Sequence, residues 1–375
     1  MHVEIGRDVL GRVLAIADGA VGQERVLPIS AYILLDAKGD GIEVSATDLE
    51  VSLRLTAPGT VRTPGRVTAP AKKLTELVRA YTGTLIALSS DEKGHLTVAD
   101  GKTKARLGTL PPEDFPDTWA TPSMPTDTPV FPVAPVARVT LEIPDLARIL
   151  DQTLYAVSED TSRPHLMGCH LVAGGTVLTA SATDGIRCAR SKADAAILSD
   201  QGPLETLLPK RAASLLLDAM EGLDGPAALE LSTERIRVTL PTLKLLATAI
   251  SGSFPHLDSA IPTKGGGTVV VIDREVFLGA LRRVSIVDKL LRLTIGDDAI
   301  AVAATSQDLG SAEETVTAKI LGDPVSISFQ RKLLTDALEA VETKEVELAF
   351  NVRRPVRIDP LGADWPVAVC MPMSG

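Results

Sequence analysis

Apolar residues fall three and four positions apart in six stretches of the chain, the spacing that gives a helix one apolar face. Three of these follow an isoleucine: IGRDVLGRVLAIA from Ile5, IPDLARILDQTLYAV from Ile143 and IDREVFLGALRRVSI from Ile272. The other three open on a basic pair: PAKKLTELVRAY from Pro70, PKRAASLLLDAM from Pro209 and QRKLLTDALEAV from Gln330. They predict helices over 7–20, 69–81, 144–158, 209–221, 273–289 and 330–341. Between them, alternating or apolar runs predict strands at Tyr32–Leu35, Gly41–Val44, His170–Val172, Thr176–Thr179, Leu229–Leu231, Ile236–Leu240, Leu291–Ile295 and Val346–Phe350. Turn residues separate them at Lys38-Gly39-Asp40-Gly41, Gly174-Gly175 and Gly296-Asp297-Asp298.

The blocks recur in one order, so the chain reads as three copies of a unit. A segment opening on Ala-Thr lies between the two helices of each copy: ATDLEVSL from Ala46, ATDGIRCA from Ala182 and AATSQDLGSA from Ala303. Thr47 and Thr183 are 136 residues apart, and Thr183 and Thr305 are 122 apart. Lys72, Lys210 and Arg331 keep offsets of 138 and 121. Two copies close alike, at Phe115-Pro116 and Phe254-Pro255. Five prolines between residues 117 and 137 mark one linker, and Pro262 to Gly267 marks a second. The expectation is an α+β chain of three domains, 1–120, 136–262 and 268–375, each with two helices packed on mostly antiparallel strands.

Length and composition fit that picture. A chain of 375 residues has room for two or three domains. No apolar run approaches the roughly 18 residues of a membrane helix. The first residues, Met1 to Asp8, lack the basic-then-apolar pattern of a secretory signal, and three cysteines fit a reducing compartment, so a cytoplasmic protein is expected. The charge complicates the reading. At net −10 and 3% aromatic, the average composition argues against a nucleic-acid partner. The basic residues, however, are placed unusually. Lys72-Lys73, Lys210-Arg211 and Arg331-Lys332 all open a helix, where the macrodipole makes cations unfavourable. The six predicted helices sum to +2 and the rest of the chain to −12. That is the sign expected of a polyanion-facing helix layer on an acidic body, although ordinary solvated helix faces would read the same way.

Catalytic motifs fail on spacing. Gly101-Lys102-Thr103 resembles the end of a phosphate loop, but Leu96 stands where the first glycine must be, and a hairpin turn accounts for the segment. His165, Cys169 and His170 cluster without a second ligand pair. Asp48, Glu50 and Asp184 have no evident activating partner, and a hydrolase built on Asp48 or Asp184 is the least favoured alternative. The chain reads as non-enzymatic, with no cofactor or metal site.

Several segments then resemble the bacterial DNA polymerase III beta subunit, the beta sliding clamp family. They are Arg25-Val26-Leu27-Pro28-Ile29, Ala46-Thr47-Asp48-Leu49-Glu50, Val67 to Lys73, Thr109-Leu110-Pro111 with Asp114-Phe115-Pro116, Ala182 to Gly185 with Arg187, Gly252 with Phe254-Pro255, and Val369 to Met373. They fall in order along essentially the whole chain. The resemblance implies clamp domains that close, as a head-to-tail homodimer, into a ring around double-stranded DNA without sequence preference. It also implies partners: a clamp loader, the polymerase III alpha subunit, and other proteins carrying a clamp-binding peptide. By position it assigns DNA contacts to Arg25, Lys72, Lys73, Arg79, Arg163, Lys210 and Arg211. It assigns a partner-peptide pocket to Leu166, Thr183, Gly185, Arg187, Pro255, Ile261, Val369, Met371, Pro372 and Met373, and the dimer contact to Arg106, Leu107, Ile286 and Val287. Ile186, Ser259, Leu333 and the Ser374-Gly375 end depart from the family pattern, and Ala105 is small for its position. These departures leave open an accessory clamp with altered partners or inhibitor recognition, or a peptide-binding scaffold that does not use DNA.

Overall fold

The six periodic stretches form helices α1 (Arg7–Ala20), α2 (Ala71–Ala80), α3 (Ile143–Leu154), α4 (Lys210–Met220), α5 (Arg274–Val284) and α6 (Arg331–Glu339). They are seen in a computed structural model that describes residues 1–22, 28–91, 94–119, 137–199, 202–351 and 354–373. Most of the proline-rich linker lies outside the described residues. α3 and α5 stop short of their predicted ends. In the last turn of α3 the Thr153 hydroxyl back-bonds to the Ile149 carbonyl at 2.7 Å, and beyond it Ala156 and Val157 bond three residues back instead of four. After α5, Ile286 and Val287 tighten in the same way, at 3.2 Å each. The β-branched run Val284, Ile286 and Val287 crowds a continuing helix.

The elements pack as two compact units, Met1–Pro144 with Ala195–Ala249, and Asp145–Asp194 with Ile250–Gly375. In the first, a nine-stranded antiparallel sheet runs Ala196–Leu198, Ala137–Glu142, Pro226–Leu231, Arg235–Thr239, Leu243–Thr248, Val51–Pro58, Gly41–Thr47, Tyr32–Lys38, Gly65–Pro70. Strands of the first and second repeats meet where Leu243–Thr248 pairs with Val51–Pro58. A five-stranded sheet ends on the hairpin His95–Asp100 and Thr103–Gly108, whose turn is Gly101-Lys102. α1 packs on α2, on α4 and on the strands Gly41–Thr47 and Val51–Pro58, burying Leu10, Val13, Leu14 and Ile16.

In the second unit, Gly168–Gly174, Val177–Thr183, Arg187–Asp194, Val367–Cys370, Val356–Pro360, Glu345–Phe350, Thr268–Asp273 and Lys319–Leu321 are neighbours in that order. Here the second and third repeats meet where Arg187–Asp194 pairs with Val367–Cys370. A four-stranded sheet, Gly310–Thr317, Ala299–Ser306, Leu290–Gly296, Val325–Gln330, completes the third repeat. Its core is dense and apolar, with Phe277, Phe329 and Phe350 buried and the last two edge-to-face at 6.4 Å.

The repeat holds at the level of single hydrogen bonds. The Thr47 hydroxyl donates to the Val51 carbonyl and accepts from Leu49 N, while Asp48 Oδ1 accepts from Glu50 N and Val51 N. Thr183 and Asp184 make the same four bonds with Arg187, Gly185, Ile186 and Arg187. Leu49 and Gly185 occupy the matching left-handed position, at φ +77° and +97°. Behind each turn an arginine fastens the segment after Phe-Pro. Arg54 reaches Asp117 at 3.1 Å, and Arg190 reaches Asp258 at 2.6 Å. Leu34 packs with Phe115, and its counterpart His170 stacks on Phe254 at 4.5 Å.

The three thiols are buried. Burial pushes Cys169 and Cys188 up to about 11, and Cys370 further in the same direction. At pH 8 the native protein should therefore react far more slowly with Ellman's reagent than the denatured chain, which should release three equivalents. In the unfolded chain the thiols lose their protons near 9, whereas the folded chain holds them to about 11. Stability should consequently fall as pH rises through that window, measurable as a declining melting temperature.

Candidate functional site

The basic pairs that open the second helices have different surroundings. Lys72 and Lys73 begin α2 on an exposed face; Lys73 Nζ lies 2.9 Å from Glu76, and its hydrogen bond lowers the Glu76 carboxyl below its usual range. Lys72 makes no hydrogen bond among the described residues. Arg79 lies in the last turn of α2, where a cation opposes the carbonyl end of the helix. Lys210 opens α4 beside Arg211.

Arg211 is committed within the chain. Its Nε and Nη2 donate to the Gly19 carbonyl at 2.9 and 2.7 Å, Nη2 also reaches the Val21 carbonyl at 2.8 Å, and Nη1 pairs with Asp48. α1 has no basic residue in its own last turn, so α4 supplies one. The exchange is mutual, because Arg12 of α1 donates to the Glu221 carbonyl just beyond α4, whose last turn also lacks a cation. Gly19 permits this approach, since a Cβ there would stand 2.7 Å from Leu215 Cδ2. A cation that is unfavourable for α4 is thus favourable for α1.

Arg163 does not point away from the chain either. It holds Asp160 at 2.9 Å, and Nη1 lies 2.9 Å from where a Gly185 Cβ would be. The Ser162 hydroxyl and amide, with Arg163, bring the Asp160 carboxyl down to about 2. Arg25 lies outside the described residues.

The residues assigned to a pocket gather in the second unit. Leu166 is buried in a short turn, Pro164–Leu166, and Ser158 N donates to its carbonyl at 3.0 Å. Gly252 closes against that turn, because a Cβ there would be 2.9 Å from His165 Cβ. Thr183, Gly185 and Arg187 form the Asp184 turn described above. Pro255 and Ile261 flank the turn Leu257–Ser259, which the Arg190–Asp258 pair ties to the strand Arg187–Asp194. Met371 N donates to the Ile186 carbonyl and Met373 N to the Ser328 carbonyl, each at 2.8 Å. Val369 is buried, whereas Ile186, Met371 and Met373 expose apolar surface and Pro372 is half-buried. Among these side chains only Arg187 combines charge with deep burial. Its Nε donates to Asp184 at 2.9 Å, its Nη1 to Asp336 at 2.6 Å, and its guanidinium lies 5.5 Å from the centre of the Tyr155 ring. Asp336 and Tyr155 carried no motif in the sequence, since their partners lie far along the chain.

Of the residues assigned to the dimer contact, Arg106 and Leu107 sit on Thr103–Gly108, the outermost strand of the five-stranded sheet. Arg106 pairs with Asp91 and lies 3.3 Å from His95 Nδ1. Ile286 is 78% exposed just beyond α5, next to the half-buried Val287.

Comparison with known proteins is consistent along the chain. Residues 1–119, 140–256 and 258–374 match the N-terminal, central and C-terminal domains of the DNA polymerase III beta subunit. The beta sliding clamp of Pseudomonas aeruginosa is 28% identical over 357 residues, covering 94% of this chain and 93% of the relative. That of Caulobacter vibrioides is 27% identical over 360 residues, covering 93% of each. The solved sliding clamp of Pseudomonas aeruginosa bound to griselimycin superposes with a TM-score of 0.86 at 27% identity over 100% of both chains.

Arg211→Ala should lower stability by about 1–2 kcal/mol, the scale of charge-assisted hydrogen bonds on a half-exposed side chain. Lys72→Ala and Lys73→Ala should stay within about 0.5 kcal/mol of the parent. Urea unfolding of the three variants distinguishes them.

Proposed function

The chain belongs to the DNA polymerase III beta subunit family, and from that premise we propose how it serves DNA as a sliding clamp. The protein is a non-catalytic processivity subunit made of three clamp domains, for which we assign the intervals 1–120, 136–262 and 268–375. The observation that carries the reading is the joint between repeats. The Thr-Asp turn of the first repeat meets the second helix of the next through Asp48 and Arg211. The turn of the second meets the second helix of the third through Arg187 and Asp336. Continued once more, the operation brings the third repeat's turn, Thr305 to Gly310, against the second helix of a first repeat, which is α2 of another copy. A second copy placed head-to-tail satisfies both ends and closes a ring.

The exposed edge Thr103–Gly108 and the apolar Ile286 and Val287 are the surfaces that such a contact joins. Edge strands seek partners, and ring closure uses them without leaving a free edge. Retention of the ring is topological, so tight phosphate contacts are unnecessary and weak ones permit sliding. Lys72, Lys73, Arg79 and Lys210 supply those contacts in this reading. Arg211 and Arg163 chiefly hold the structure, and Arg25 remains an assignment by position. The surface formed by Leu166, Thr183, Gly185, Arg187, Pro255, Ile261, Val369 and Met371 to Met373 receives short peptides with apolar anchors. Its methionines and aliphatic side chains adapt to different ligands. The partners are the polymerase III alpha subunit, the clamp loader and other proteins bearing such a peptide. Tethering raises the polymerase's effective concentration at the primer end without any new contact to DNA.

Light scattering should give twice 39.5 kDa. Protein loaded by a clamp loader should stay on circular DNA and run off once the circle is linearised; equal retention on both would exclude encirclement. Deleting Met371 to Gly375 should abolish peptide binding while leaving the dimer mass unchanged.

A further inference from the structure

Arg187 is the one pocket residue whose side chain is fixed from three sides. Asp184, in its own turn, takes Nε at 2.9 Å. Asp336, on α6 and 149 residues further along, takes Nη1 at 2.6 Å. The Tyr155 ring lies beneath the guanidinium at 5.5 Å. The Arg187 side chain is only 10% exposed, and Asp336 13%. Its Nη2 has no acceptor among the described residues, and Arg187 directly follows exposed Ile186, whose carbonyl accepts from the exposed Met371. A nearly buried cation with one donor left over is suited to a single acceptor on a ligand whose apolar groups cover the adjacent surface. Asp336 determines where that donor points. It is not a free carboxylate, since Lys332 Nζ shares the same oxygen at 2.8 Å. With Asp336 removed, Arg187 retains Asp184, three residues away on its own turn, and the Tyr155 ring, but loses the contact that fixes Nη1.

We propose that Asp336 is a positioning residue for peptide recognition: by holding Arg187 Nη1 it presents Nη2 to one carbonyl or carboxylate oxygen of an apolar-anchored peptide. This rests on the assignment of the peptide pocket and adds the chemistry of its polar contact. The test uses the full-length dimer and a fluorescein-labelled hexapeptide with leucine and phenylalanine anchors, read by anisotropy. Asp336→Ala should weaken binding by about tenfold, equivalent to about 1.4 kcal/mol, and Asp336→Glu should recover most of the loss. In an Arg187→Ala background, Asp336→Ala should change affinity by less than about twofold, because two residues acting through one contact are not additive. Should Asp336→Ala impair folding, Asp336→Asn removes the charge at constant shape and is held to the same cycle. If the Asp336 loss persists undiminished without Arg187, or is absent while Arg187→Ala weakens binding, the positioning role is overturned and the pocket stands. If Arg187→Ala leaves peptide affinity untouched, the pocket assignment and this inference fall together.

Discussion

A carboxylate set in a tight turn and met by a guanidinium is the contact on which the arrangement of repeats depends. Asp48 and Asp184 each accept two backbone N–H bonds, which fixes the carboxylate before any partner arrives. An arginine then bridges from that turn to the second helix of the next repeat. At the first joint the arginine comes from the helix, as Arg211. At the second it comes from the turn, as Arg187, and the helix supplies Asp336. The polarity is reversed and the positions differ, since Arg187 corresponds to Val51 and Asp336 to Leu215 by the repeat offsets, so what recurs is a charge pair between turn and helix and not a particular residue on a particular side. The second pair is nearly buried, and breaking a buried pair costs far more than the pair contributes over an apolar replacement. That property suits a joint whose angle must repeat.

The same joints explain why an acidic protein places cations where a helix does not favour them. A helix start is electropositive only in the frame of its own helix. When another helix ends beside it, the sum of the two dipoles decides, and the carbonyls of Gly19 and Val21 outweigh the local cost at α4. The reciprocal Arg12 contact at Glu221 follows the same rule. The repeated basic pair therefore does two jobs: its second member at α4 serves the neighbouring helix, and the pair at α2 stays at an exposed face.

Much of this was legible in the sequence because the repeat is written in residues of strong local character. The offset of 136 that relates Thr47 to Thr183 also relates Arg54 to Arg190 and Leu34 to His170, and each pair does corresponding work in the structure. Helix positions and the Gly101-Lys102 hairpin follow from periodicity and turn chemistry alone. What was illegible depends on distant partners. Arg211 looked like its lysine counterparts because nothing local to α4 reveals that α1 ends against it. Asp336 sits four residues after Lys332, a spacing that suggests only a surface pair, and its second partner is on another repeat. The third repeat's turn closes on the pair Ser306 and Gly310, one residue tighter than Thr47 with Ser52 and Thr183 with Cys188, so the residue-by-residue correspondence stops there.

The division of labour between arginine and lysine carries the argument to function. Arginine's planar fork satisfies several acceptors at fixed angles, and here Arg211, Arg187 and Arg190 are each bound to a carboxylate or to helix-end carbonyls. Lysine is a hydrated point charge on a flexible stem, and Lys72 and Lys73 open α2 at the surface with no more than a solvent-exposed partner in Glu76. Such a pair contributes little to stability and exchanges readily for a phosphate. A ring that must hold its own shape while letting DNA pass needs rigid contacts within the protein and replaceable ones toward the polyanion. With Arg211, Arg187 and Arg190 given to the first task, and Lys72, Lys73 and Lys210 together with Arg79 proposed for the second, both demands are met without making the protein basic.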